Sequence, residues 1–204
     1  MKLSKIRCML EDSGVHKLLF VVHPSMAIDN WSHDRVLDEL SDYYKEVIST
    51  VNGFDGDVII TNMKPYMMQT AGDGNIKEYQ NFMKWLDNVS SKPNVHLFNE
   101  KGKAGECIQC GGLIDDILLS HDIVQIYVGG GYFGHCLLST LKAILKNYGT
   151  YIRGKPIMLD NITYVPGSVP HRLDKEPQEE GQASYTKKLY GDHEEINQEF
   201  NNDL

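Results

Sequence analysis

Ile123-Val124-Gln125-Ile126-Tyr127-Val128, then Gly129-Gly130-Gly131-Tyr132-Phe133-Gly134-His135, then Cys136-Leu137-Leu138-Ser139-Thr140-Leu141-Lys142-Ala143-Ile144-Leu145 is the stretch whose reading decides the fold. The first piece is β-branched and aromatic, the composition of a buried strand. The last places Leu137, Leu138, Leu141, Ile144 and Leu145 at helical spacing, with Lys142 and Lys146 off that face. Glycines between them let the backbone turn where a side chain would clash. The reading is strand, tight turn, helix, with Cys136 in the first helical turn. Unpaired N–H groups at a helix start favour negative charge, so a cysteine there is expected to hold its thiolate more readily. The carboxyl end of a central strand is also where open α/β sheets place their ligands.

Outward from this core, strands alternate with helices. Lys17 to Val22 is apolar enough to be buried on both faces and stops at His23-Pro24. A helix is predicted from about Ser32 or Asp34, with Val36, Leu37, Leu40, Tyr43, Tyr44, Val47 and Ile48 on one side. Asn52 to Gly56 is a turn and Asp57 to Thr61 a second strand. Asn62 to Asn75 is read as loop, Ile76 to Val89 as helix, Asn94 to Phe98 as a third strand, and Lys155 to Asp160 as a last one. The expected fold is a three-layer α/β sandwich around a mainly parallel sheet. Residues 1–170 form this domain. Residues 171–204 form a polar tail, which packs on the core or on a partner subunit; Asp174 to Gln182 has almost no apolar content.

The chain has 204 residues and a formal charge of −8, which argues against a binder of nucleic-acid backbone. No apolar run is long enough to span a bilayer, and the N-terminal lysines are mixed with Arg7, Glu11 and Asp12 too early for a secretory signal. Four cysteines in a chain this long do not make a disulfide framework. A cytoplasmic protein with a small-molecule substrate or ligand is expected, with no nucleic-acid or membrane partner.

The pattern Leu113 to Leu119, Ile123 to Val128, Gly130-x5-Cys136 and Leu138-Ser139-Thr140, followed by Pro156 to Asp160, resembles the isochorismatase-like cysteine hydrolases. The resemblance runs from about Leu18 to Val165 and is specific around Cys136. It implies hydrolysis of a small amide-like bond and a homo-oligomeric assembly. It also implies a nucleophilic cysteine, a lysine, and an acid ending the first strand. Cys136 fills the first role. Lys101, with Lys103 close behind, lies where the family carries its lysine. The acid position is occupied by His23, which can also serve a thiol as base. Either His23 replaces the acid, Asp29 in the following loop swings in, or activity is impaired.

Backbone N–H groups from Gly134 to Cys136, in the turn with Gly131 and His135, are expected to stabilise an oxyanion. Tyr66, Met67, Tyr132 and Phe133 are expected pocket walls. Thr61 to Met68 lacks the carboxylate and imidazoles of a nicotinamidase zinc site, so no metal and no cofactor are expected.

Other readings stay open. Cys107-x-x-Cys110 is a redox or half-zinc pattern without a second pair. Gly129 to Gly134 also matches G-x-G-x-x-G, with Asp160 ending the next strand, as in a nucleotide-binding βαβ unit. A non-catalytic small-molecule binder on the same fold is the third.

Overall fold

The computed structural model describes residues 15–30, 37–63, 65, 73–100, 115–117, 124–131, 136–152 and 156–164. Five strands form one sheet: β1 His16–Val22, β2 Asp57–Asn62, β3 Val95–Asn99, β4 Val124–Gly130 and β5 Ile157–Thr163. Their spatial order is β3-β2-β1-β4-β5, and every pairing is parallel. Helices α1 Leu37–Gly53, α2 Asp73–Val89 and α3 Leu138–Tyr148 cover the sheet.

Period-two alternation explains the layering. Leu18, Phe20 and Val22 point to one face, where Ile59, Ile126, Val128, Cys136 and the α3 residues Leu141, Ile144 and Tyr148 pack. Leu19 and Val21 point to the other, against Leu40, Tyr43, Tyr44 and Val47 of α1 and Phe82, Leu86 and Val89 of α2. The central strand β1 is therefore apolar on both sides, as a doubly covered parallel strand must be. Aromatic pairs join the second layer: Tyr44 stacks on Phe82 with centroids 4.1 Å apart, and Tyr43 meets Tyr164 edge-on at 5.2 Å. The three-layer α/β architecture expected from the sequence is the one found.

Several boundaries move. β5 runs from Ile157 to Thr163, so Asp160 lies within the strand and does not end it. A register shift between Val128 and Gly130 lets β5 extend past the predicted stop. α2 begins at Asp73, whose carboxylate stands in its first turn, three residues earlier than apolar spacing suggested. The predicted helix start at Ser32 or Asp34 and the tail 171–204 lie outside the described residues.

The strand order reverses direction between β1 and β4, which is where an open α/β sheet leaves its crevice at the carboxyl edge. β1 ends there at Val22, one residue before His23, and β4 precedes Cys136 in the chain. No helix among the described residues is long and apolar enough to cross a membrane.

Candidate functional site

The glycine run serves packing. A side chain on Gly129 would strike Ile162, one on Gly131 would strike the Tyr164 ring, and one on Gly130 would strike the backbone of Val22. Gly130 also adopts φ 102°, a conformation open to glycine and strained for other residues. Gly131 donates its N–H to the Val22 carbonyl at 2.8 Å, extending the β1–β4 ladder by one residue. That donation commits Gly131 to the turn and removes its N–H from any oxyanion site. Sheet packing thus accounts for all three glycines without a phosphate.

His23 is the residue around which the carboxyl edge is built. It is fully buried and has φ 45°, the one non-glycine residue with positive φ among those described. Strict strand alternation would send it to the face opposite Val22. The left-handed backbone breaks that alternation, and the ring meets Cys136 and Glu100. Such a conformation is uncommon for a side-chain-bearing residue, although histidine tolerates it better than most. Three backbone contacts hold it. The His23 N–H donates to Thr61 O at 2.8 Å, while its carbonyl accepts from Tyr164 Oη at 2.8 Å and from the Met26 N–H at 3.1 Å.

His23 Nε2 lies 2.5 Å from a carboxylate oxygen of Glu100, both side chains being out of solvent. Glu100 immediately follows β3, and its N–H donates to Asn62 O at 2.8 Å, so the ladder itself fixes where the carboxylate stands. Cys136, buried just ahead of α3, is the third member. Burial acts most strongly on the His23 ring and opposes its charge. Contact with the Cys136 thiol and the Glu100 carboxylate outweighs burial and raises the pKa from 6.5 to about 9. At neutral pH the ring is therefore an imidazolium. Nδ1 makes no hydrogen bond of normal geometry, while the side-chain interaction with Cys136 is the largest of the influences that raise the pKa.

A polar network braces the other side of the same edge. Ser25 Oγ lies 2.9 Å from Met63 O and also meets the Asn62 side chain, whose Nδ2 donates to Asn99 Oδ1 at 3.3 Å. Asn62 and Asn99 are register partners, so this ladder ties the ends of β2 and β3 beside the site.

Of the residues singled out from sequence, the structure brings His23 and Cys136 together and seats Gly131 at the end of β4, bonded to Val22. The backbone of Asp29 lies in a 3-10 turn, Pro24–Asn30, and its side chain is outside what is described. Lys101, Lys103, Gly134, His135, Tyr66, Met67, Tyr132, Phe133, Cys107 and Cys110 lie outside the described residues. Glu100 was missed, because an acid beside two lysines in a polar loop reads as solvated surface. Its signal was position, one residue past a strand at the carboxyl edge. Among the described residues, no group of three or more His, Cys, Asp or Glu side chains is arranged to hold a metal ion.

No protein-family model matches this sequence, and no curated protein matches it. The chain is similar to solved structures of three hydrolases. One is a nicotinamidase from Staphylococcus aureus, at 16% identity and TM-score 0.46, covering 73% of this chain and 82% of that one. Another is an isochorismatase-like hydrolase from Alkaliphilus metalliredigens, at 13% identity and TM-score 0.43, covering 92% and 99%. The third is an N-carbamoylsarcosine amidase from Thermoplasma acidophilum, at 14% identity and TM-score 0.39, covering 87% and 94%.

Proposed function

We propose that this protein is a cysteine-dependent hydrolase of a small amide-like substrate. The observation that supports this most is the buried His23 ring, acted on by the Cys136 thiol and the Glu100 carboxylate together. A nucleophile beside a base, with a third group orienting the base, is the arrangement on which nucleophilic catalysis depends. Glu100 engages Nε2, which leaves Nδ1 as the ring atom able to exchange a proton with sulfur or substrate.

In this reading the Cys136 proton already resides on the charged His23 ring, and the sulfur attacks the carbonyl carbon. The tetrahedral intermediate collapses, the carbon–nitrogen bond breaks, and the amine leaves with the proton from Nδ1. Water then attacks the thioester and gives its proton to Nδ1, and the carbon–sulfur bond breaks to free the acid and return the sulfur beside the charged ring. Glu100 never needs to take the proton. It holds the ring orientation and stabilises the imidazolium, as a carboxylate does in a Ser-His-Asp triad. Lys101, next to Glu100 in the chain, is proposed to stabilise developing negative charge, and the backbone at Gly134 to Cys136 the oxyanion. His23 thus takes the role that the sequence left open between it and Asp29. A homo-oligomeric state and a cytoplasmic location belong to the same proposal.

The test is a panel of small carboxamides and carbamoyl compounds incubated with the protein and followed by ammonia or amine release. Turnover that disappears in Cys136→Ser, with an acyl adduct on Cys136 seen by intact mass spectrometry after acid quench, is the expected result. Turnover that survives Cys136→Ser would refute the assignment. Binding of a panel member with neither turnover nor adduct would instead favour a non-catalytic binder.

A further inference from the structure

Two polar atoms at the carboxyl edge are buried and make no hydrogen bond: His23 Nδ1 and Thr61 Oγ1. Both residues are fully buried. An uncompensated hydroxyl in such a place is unfavourable, and most native structures avoid it. Its position is informative. Thr61 shares strand parity with Ile59, which packs in the layer containing Cys136, whereas Val58 and Ile60 pack in the opposite layer. Its register partners are Val22 on β1 and Phe98 on β3, both of the Cys136 layer. The Thr61 carbonyl accepts the His23 N–H at 2.8 Å, so the two residues adjoin. The Thr61 hydroxyl therefore stands on the face of the sulfur, in the strand between His23 and Glu100.

We propose that Thr61 is a substrate-binding residue whose hydroxyl donates to the carbonyl oxygen of a carboxamide or carbamoyl group, while His23 Nδ1 faces that group's nitrogen. This rests on the reading of Cys136 as nucleophile and narrows its substrate class. An amide carries an oxygen acceptor and a leaving nitrogen on one carbon, and two separate donors at the edge of the layer that holds the sulfur suit that pair. An ester would leave through oxygen and use the same seat, but an alkyl compound without a carbonyl would leave Thr61 idle.

The experiment compares two alkylating probes of Cys136 on the full chain, each read by intact mass spectrometry with peptide mapping. Iodoacetamide carries a carboxamide beside its electrophilic carbon, and methyl iodide carries none. Thr61→Val should slow iodoacetamide labelling of Cys136 by about three- to tenfold, the measure of one hydrogen bond to an uncharged group, and leave methyl iodide labelling unchanged. Thr61→Ser, which keeps the hydroxyl, should restore the preference. Replacing an unbonded buried hydroxyl with a methyl should leave the melting temperature equal or higher, so Thr61→Val is expected to fold. Should valine overpack, Thr61→Ala gives the same readout. Equal ratios of the two labelling rates in wild type and these variants would overturn the proposal and leave the nucleophile standing. A Cys136 inert to both probes in wild type would instead overturn the nucleophile, and the Thr61 role with it.

Discussion

Glu100→Gln is the change that most directly probes the buried charge pair. His23 has a folded-state pKa of about 9 against 6.5 in an unfolded chain. A group raised in this way contributes stability that is fully present below pH 6.5 and is lost as pH rises through 9. The gap of roughly 2.5 pH units corresponds to on the order of 3 kcal/mol, a large share of an ordinary domain's stability. Between those limits the unfolded chain has released the proton and the folded one retains it, so stability falls by about 1.4 kcal/mol per pH unit. Removing the carboxylate charge leaves Cys136 as the remaining influence against burial and lowers the His23 pKa. At pH 6 it also strands a buried cation, a loss typically of about 3–5 kcal/mol. Urea unfolding followed by tryptophan fluorescence, from pH 6 to pH 9.5, should show Glu100→Gln far less stable at pH 6. The difference from wild type should narrow as pH rises towards 9. A constant difference across that range would refute the charged His23–Glu100 pair, because an isosteric packing defect has no reason to titrate.

Other consequences follow from particular contacts. Gly130→Ala should cost more than about 3 kcal/mol or prevent folding, since the new methyl meets Val22 backbone at φ 102°; soluble expression and thermal melting will show it. Gly53→Ala, at the end of α1 with nothing near the added methyl, should instead be neutral or stabilise by up to about 1 kcal/mol in the same melts. Tyr164→Phe removes the donor to the His23 carbonyl and should lower stability by about 1 kcal/mol in urea unfolding. Because that carbonyl keeps its Met26 partner, the left-handed turn should persist and Cys136 labelling should fall only modestly.

Much of the fold was open to reading in the chain because its signals are local. The β1 run from Leu18 to Val22 is apolar without interruption, the pattern expected of a strand covered on both faces. Glycine followed by an amphipathic run located the β4–α3 turn and Cys136. The start of α2 was missed because apolar spacing marks the buried face and not the polar first turn, where Asp73 stands. β5 was cut short because Asp160, Asn161 and Thr163 look like a strand's end. Asn161 in fact reaches Glu46 and Thr50 of α1, and Thr163 Oγ1 donates to Leu159 O.

The site was legible only in part, for a different reason. His23 and Cys136 carried local signals, a strand end and a helix start. The Glu100 partnership spans 77 residues and depends on which strand lies beside which. A parallel sheet sets that by topology, and no spacing rule along the chain reports it. Thr61 was hidden in the same way, since β-branched threonine is unremarkable in a strand. Its burial without a partner exists only once Val22 and Phe98 flank it.

The central claim is that Cys136 is a nucleophile governed by His23. The most direct test is the rate of Cys136 alkylation by iodoacetamide in the native protein, wild type against His23→Gln, between pH 5.5 and 8.5. Up to about pH 7.5 an ordinary thiol, with a pKa of about 8.5, is mostly protonated and slow. Rapid labelling of Cys136 in wild type at pH 6 to 7, lost in a folded His23→Gln, is the predicted result. Labelling of Cys136 that is slow in both proteins, or fast and indifferent to His23, would contradict the account.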